Sequence, residues 1–308
     1  MRIATLSTFD TSVAQLQRRQ QDLTRAQEQL TSGKRVLRAS DDPAAAATAE
    51  RALAAEARAA SRQRALDASR NATQMAEGAL GDAGELLQQA REQIVAAGNG
   101  SYTDAERTIA AKSLRNLRDD LLAVANRQDG TGRYIFGGQG SNVSPLQDAP
   151  GGVVYSATGG QLQASTGEAT SLSVDGGAAW LQAPDPDNPG GTISLFDVLD
   201  RVVGELETPG RTSAQIAQTV SSGIGDLDKV ADNLSSWRAE TGQALNRIDA
   251  IGSRLAQTKL DAQTERSGAE DLDMLAAISD FQNRQTGYDA ALKTYSIVQR
   301  MSLFDYVK

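Results

Sequence analysis

Leu6-Ser7-Thr8-Phe9-Asp10-Thr11-Ser12-Val13-Ala14-Gln15-Leu16, continued by Leu23 and Leu30, is the stretch that decides the fold. Phe9, Leu16, Leu23 and Leu30 recur every seven residues, and Leu6 and Val13 stand three residues before the first two. This a/d spacing puts one apolar seam along a helix that must lie against another helix. Gly33 supplies the C-terminal stop. The far end of the chain repeats the pattern. Ile278, Phe281, Gln285, Tyr288, Leu292, Tyr295, Gln299 and Ser302 alternate spacings of four and three.

At a rise of 1.5 Å per residue, a helix over residues 3–32 is about 45 Å long and one over 270–306 about 55 Å. Polar seam positions (Gln20, Gln27, Gln285 and Gln299) leave little apolar area per turn for an isolated pair. A buried aliphatic or aromatic side chain contributes about 1.5–3 kcal/mol, against an ordering cost of about 1–2 kcal/mol for every backbone residue fixed. With one such side chain every three or four positions, two helices alone are expected to be marginal, and neighbouring copies to complete them. The expected assembly interface is Leu6, Phe9, Val13, Leu16, Leu23 and Leu30 with Ile278, Phe281, Tyr288, Leu292, Tyr295 and Phe304.

Between the ends, Ser40-Asp41-Asp42-Pro43 opens a second helix reaching about Ala97. Gly98-Asn99-Gly100 breaks it, and Thr103-Asp104-Ala105-Glu106 starts another to about Arg127, with Ile109, Leu114, Leu117, Leu121, Leu122 and Val124 expected to pack on the preceding helix. Phe196, Leu199, Val202, Val203 and Leu206 predict a short amphipathic helix ended by Pro209-Gly210. A long helix follows with Leu227, Val230, Leu234, Trp237, Leu245, Ile248, Ile251 and Leu255 on one face.

The middle differs in kind. Between Arg133 and Arg201 no Lys or Arg occurs, while seven acids (Asp148, Glu168, Asp175, Asp185, Asp187, Asp197 and Asp200) carry −7 of the net −8. Five of the seven prolines lie there too. Val153–Ser156 and Gln161–Ala164 around Thr158-Gly159-Gly160 predict a hairpin, Thr170–Val174 alternates like a half-buried strand, and Gly132–Gly138 reads as a short strand. The expected fold is mainly α with an inserted small β domain: elongated, with paired N- and C-terminal helices and an antiparallel helical bundle. The expected parts are a terminal coiled-coil domain (1–40 and 270–308), a bundle domain (41–142 and 195–269) and a β-rich surface insert (143–194).

The 308 residues contain no histidine and no cysteine. That removes the commonest general base, the commonest metal ligand and the best thiol nucleophile. Aromatic residues make up only 4 %, which favours thin helical layers over a thick core. A net charge of −8 argues against nucleic-acid partners and anionic membranes. Residues 1–10 lack the apolar run of a signal peptide, so secretion is expected to use a route without a cleaved signal. No segment reaches the about 18 apolar residues of a membrane span.

The candidate sites have simpler readings. Gly132–Gly138 lacks the Lys-Ser or Lys-Thr of a phosphate loop. A calcium loop from Asp185 would place Pro189 fifth and Phe196 twelfth, where side-chain oxygens are needed. Asp41 and Asp42 before Pro43 are expected to cap a helix rather than act as an acid–base pair. Asp119 and Asp120 are expected to be solvated, and Tyr288 and Tyr295 to pack rather than to stack on bases. The glycosylation-like triplets at Asn71, Asn142 and Asn233 are read as chance. No catalytic, cofactor-binding or metal-binding residue is expected.

Three passages resemble the flagellin superfamily, and within it the branch of hook–filament junction proteins. They are Leu30-Thr31-Ser32-Gly33-Lys34-Arg35-Val36 running into Ala39-Ser40-Asp41-Asp42-Pro43; Gly132-Arg133-Tyr134-Ile135-Phe136-Gly137-Gly138; and the ending from Ile278-Ser279-Asp280-Phe281-Gln282 through Tyr288, Leu292 and Tyr295 to Leu303-Phe304-Asp305-Tyr306. The likeness covers residues 1–140 and 195–308. It implies terminal helices lining an inner tube, a helical bundle outside and an exposed β-rich part. It further implies a homo-oligomeric ring between hook-associated protein 1 and the flagellin filament, with export of an unfolded chain helped by a flagellar chaperone. It implies no cofactor. Flagellin itself, a secreted coiled-coil adaptor and an enzyme acting through Asp or Glu are the alternatives, separated by copy number, by protease resistance of the free ends and by turnover.

Overall fold

The computed structural model describes residues 2–306, with side-chain surroundings given for residues 10–297. Six long or medium helices and two small antiparallel ribbons follow in order. They are α1 (Arg2–Ser32), α2 (Pro43–Ala97), α3 (Asp104–Ala125), β1 (Leu146–Ala149), β2 (Gly152–Tyr155), β3 (Ala183–Pro184), β4 (Thr192–Ile193), α4 (Leu195–Glu207), α5 (Ser213–Glu270) and α6 (Met274–Tyr306). A five-residue π-helical turn, Gly177–Leu181, precedes β3. The chain divides into two compact units, one made of residues 1–59 with 257–308 and the other of residues 60–256.

The second unit holds the large side chains. Trp180, Phe136 and Phe196 are fully buried together. Phe136 meets Trp180 edge-on with centroids 5.3 Å apart, and Phe196 stacks on Trp180 at 6.5 Å. Leu114 and Leu121 of α3, Leu195, Leu199, Val202 and Leu206 of α4, and Leu227, Val230 and Leu234 of α5 continue this core. Leu146, Val153, Val174 and Ala183 join it from the middle segment. The amphipathic reading of α4 therefore holds. Ile109 departs from the predicted stripe of α3, being 68 % exposed. The start of α3 is fixed by Thr103, which accepts from the Glu106 amide while Glu106 accepts from the Thr103 amide, a reciprocal capping box.

The predicted hairpin is corrected. Val153–Tyr155 pairs with Leu146–Asp148, not with Gln161–Ala164, in the register Leu146↔Tyr155 and Asp148↔Val153. Pro150-Gly151 makes the tight turn, with Gly151 at φ +108° and Gly152 at +125°, where a side chain would be strained. Gln161–Ala164 instead runs beside Thr170–Leu172, through Ala164 N–H to the Thr170 carbonyl and Leu172 N–H to the Leu162 carbonyl, each 2.7 Å. Gly132–Gly138 is not a strand either. It is a turn with single bridges Gln128↔Tyr134 and Gly137↔Asp175, bent so that Ile135 and Phe136 enter the core.

The acidic middle meets cations supplied by the helices. Arg118 of α3, only 8 % exposed, pairs with Asp148 and Asp200 and lies over the Phe196 ring at 5.6 Å. Lys229 of α5 reaches Asp185 at 3.0 Å and Asp187 at 2.6 Å, and Arg254 reaches Glu168 at 2.7 Å. Asp185 and Asp187 sit in the loop between β3 and β4, and both accept from the Lys229 ammonium.

Candidate assembly face of the terminal helices

The first unit is built on small residues. Its buried apolar side chains, among the described residues, are Ala26, Val36, Ala49, Ala52, Ala59, Ala262 and Ala269. Alanine lets helix backbones approach closely but removes little area from water, so this layer is thin.

A corner joins its strands of chain. Gly33 ends α1 at φ +69°, with its N–H on the Gln29 carbonyl at 2.9 Å. Beyond it the chain runs antiparallel to residues 270–272: Arg35 N–H reaches the Glu270 carbonyl at 2.7 Å and Leu272 N–H the Gly33 carbonyl at 3.0 Å. The Arg35 guanidinium donates to the Ala269 carbonyl at 2.7 Å and to Asp42 at 3.1 Å. Lys34 meets Glu270 at 3.1 Å, and Arg266 meets Glu56 at 3.3 Å.

Asp42 caps α2 as its sequence predicts, accepting from the Ala45 amide at 3.0 Å. That amide first, and Arg35 second, holds its carboxyl below the ordinary value. Asp41 accepts instead from the Leu37 and Arg38 amides, closing the loop before the helix. Neither carboxylate is placed as an acid–base partner of the other.

From this corner α1 and α6 run back along each other. The corner pairs Gly33 with Leu272, and farther along the Arg19 guanidinium lies 2.9 Å from where a Cβ on Gly287 would stand. The two helices are therefore antiparallel, with partners summing to about 305 along the pair. Val13, Leu16, Leu23 and Leu30 of α1 are half-buried, as are Phe281, Tyr288 and Tyr295 of α6. The side chains of Leu6, Phe9 and Phe304 lie outside the described residues.

The other predicted row of α6 faces outward. Ile278 is 44 % and Leu292 40 % exposed, accompanied by Leu275 and Ile297 at 84 % and 57 %. Both rows of a 4–3 pattern would face the partner in a regular two-stranded coiled coil, so the exposure of Ile278 and Leu292 shows that α1 covers only the Phe281, Tyr288 and Tyr295 row here. The half-buried small residues Ala277, Gly287 and Ala291 escaped the sequence reading, as did the corner made by Arg35, Arg266 and Glu270. Small residues on the covered row of an otherwise long-sided helix were the available signal.

Among the described residues no cluster of three or more acidic, His or Cys side chains could hold a metal ion, and no helix is long and apolar enough to cross a membrane.

Comparison with known proteins agrees with this geometry. Residues 3–141 match the model of the bacterial flagellin N-terminal helical region, and residues 224–307 that of the C-terminal helical region. Flagellar hook-associated protein 3 of Escherichia coli (strain K12) is 30% identical over 321 residues, covering 100% of both chains. Flagellin of Listeria monocytogenes is 27% identical over 280 residues, covering 86% of this chain and 84% of its own. Among solved structures, a putative flagellar hook-associated protein from Vibrio parahaemolyticus has a TM-score of 0.66 at 20% identity, over 75% of this chain and 100% of its own. Xanthomonas campestris FlgL (space group H3) gives 0.60 at 19% identity, over 68% of this chain and 98% of its own. At these identities the structural matches speak for the fold alone.

Proposed function

The chain belongs to the flagellin family, on its hook-associated protein 3 branch, and from that premise we propose that it is a structural subunit of the bacterial flagellum at the junction between hook and filament. It assembles through its terminal helices, lies in the extracellular flagellum and performs no catalysis. Its neighbours are further copies of itself in a ring, hook-associated protein 1 on one side and flagellin on the other, and a flagellar chaperone accompanies its C-terminal region during export. In this reading residues 1–40 and 270–308 carry assembly, 41–142 with 195–269 form the supporting helices, and 143–194 is a β-containing insert.

The observation that carries the proposal is the half-covered terminal pair. Phe281, Tyr288 and Tyr295 lie on the covered row of α6, while Ile278 and Leu292 remain exposed over an alanine-built layer. Apolar side chains left open along one face of a helix form a surface that a further chain can complete. The flagellin relatives motivate a filament-subunit alternative, but they match over less of this chain than the hook-associated relative. Copy number separates the two: about a dozen per flagellum fits a junction ring, thousands fit a filament.

The test is deletion of residues 278–308. Filaments should fail to attach, while residues 60–256 keep their folded signal. Normal attachment by the truncated chain would contradict the proposal.

A further inference from the structure

We propose that Asn99 is a self-modifying site, converting through a succinimide to an aspartyl or isoaspartyl linkage at the turn between α2 and α3. Asn99-Gly100 is the one Asn-Gly pair in the sequence, and both residues are exposed. A Cβ built on Gly100 would meet nothing within 4 Å, so the turn has room to reach the geometry of ring closure. Among the described residues the Gly100 N–H has no hydrogen-bond partner, which leaves its nitrogen available as the nucleophile.

The electrophile is already activated. Asn99 Oδ1 accepts from the Ser101 amide at 3.1 Å and from the Ser101 hydroxyl at 2.9 Å. Both donors polarise the Cγ carbonyl and stabilise the negative charge that develops on its oxygen. Gly100 N loses its proton to solvent base and bonds to Asn99 Cγ. The tetrahedral centre collapses, the Cγ–Nδ2 bond breaks, and Nδ2 leaves as ammonia after taking a proton. Water then opens the succinimide at either carbonyl.

The chain carries its own controls. Asp129-Gly130 has the same following glycine and the same contacts on Oδ1, from the Thr131 amide at 2.8 Å and hydroxyl at 2.6 Å with the Arg133 amide at 3.0 Å, but it ends in a carboxylate, a poor electrophile with no ammonia to expel. Arg133 also pairs with its other oxygen at 3.1 Å, keeping it an ionised and unreactive carboxylate. Asp175-Gly176 is tied by the Gly160 and Ala178 amides, and a Cβ on Gly176 would stand 2.5 Å from the Phe136 carbonyl oxygen.

The consequence is a new negative charge on an exposed turn and, in the isoaspartyl form, a lengthened backbone at the point where Tyr102 N–H reaches the Asn99 carbonyl at 3.1 Å. The capping box at Thr103 starts α3 independently, so the modified chain stays folded.

The purified full-length protein would be incubated at mildly alkaline pH, natively and in urea, then digested with trypsin and examined by mass spectrometry. The peptide 92–107 should gain the mass difference between amide and acid in the native protein at least as fast as in urea. Peptide 128–133 should show no isoaspartyl form. Ser101→Ala should slow the native reaction several-fold, and Gly100→Ala by about tenfold. No mass gain in 92–107, a native rate below the urea rate, or an unchanged rate in Gly100→Ala would each overturn the proposal.

Discussion

The Arg35 backbone amide donates to the Glu270 carbonyl oxygen at 2.7 Å, joining two positions 235 residues apart in sequence at the corner where α1 ends and α6 is about to begin. The Arg35 side chain adds a bond to the Ala269 carbonyl at 2.7 Å, so one residue fixes the entry of both terminal helices. The pairing register of α1 with α6 follows from that corner.

Arg35→Ala should loosen the corner without unfolding the large unit. The side chain is 47% exposed, so the loss is about 1 kcal/mol rather than that of a buried ion pair. Hydrogen exchange at residues 29–42 and 266–273 should quicken, with residues 60–256 unchanged.

Phe196→Ala should cost about 3–5 kcal/mol, because it opens a cavity beside Trp180 and removes the ring beneath the Arg118 guanidinium. Urea denaturation checks this, and Trp180 fluorescence should shift toward that of a wetter indole.

Acid should destabilise the fold. The Arg118 guanidinium holds Asp148 below its ordinary value of 3.8, and the Thr219 hydroxyl, ahead of Arg211, holds Glu205 below 4.5. A carboxylate with a lowered folded-state pKa contributes stability above its unfolded value, and that contribution is lost as pH falls through the folded value. Asp197 acts in the opposite sense, since burial and then the charge of Asp200 raise its pKa. The lowered groups prevail in number. Stability should therefore drop below about pH 4. Asp148→Asn should be about 1 kcal/mol less stable at neutral pH and less acid-sensitive.

Ile278→Asp combined with Leu292→Asp should leave the free chain within about 0.5 kcal/mol of the parent, because both positions are exposed. Incorporation into the flagellum should nevertheless be lost. Normal incorporation, counted by attached filaments, would remove these two residues from the assembly face.

Periodicity made most of the helices legible, since a 4–3 or 3.6-residue repeat is a local property of α1, α4, α5 and α6. The capping of α2 by Asp42 and of α3 by Thr103 was equally local. What periodicity does not contain is how much of a seam a single neighbour covers, so Ile278 and Leu292 read like Phe281 and Tyr288 until the pairing is seen. The hairpin was misassigned because Gly159-Gly160 and Pro150-Gly151 both spell turns, and the alternation of Val153-Val154-Tyr155 suits a partner on either side of it. The bare acidity of residues 134–200 signalled a need for cations, but not that α3 and α5 supply them. The corner at Arg35 was legible only as a motif, because its partners stand at the opposite end of the chain.

The most direct test of self-completion by neighbouring copies is amide hydrogen exchange on the same chain free and assembled. Residues 10–32 and 274–297 should exchange quickly in the free chain and become strongly protected in the flagellum, while the core helices of residues 60–256 stay protected in both. Equal protection of the terminal helices before and after assembly would contradict it.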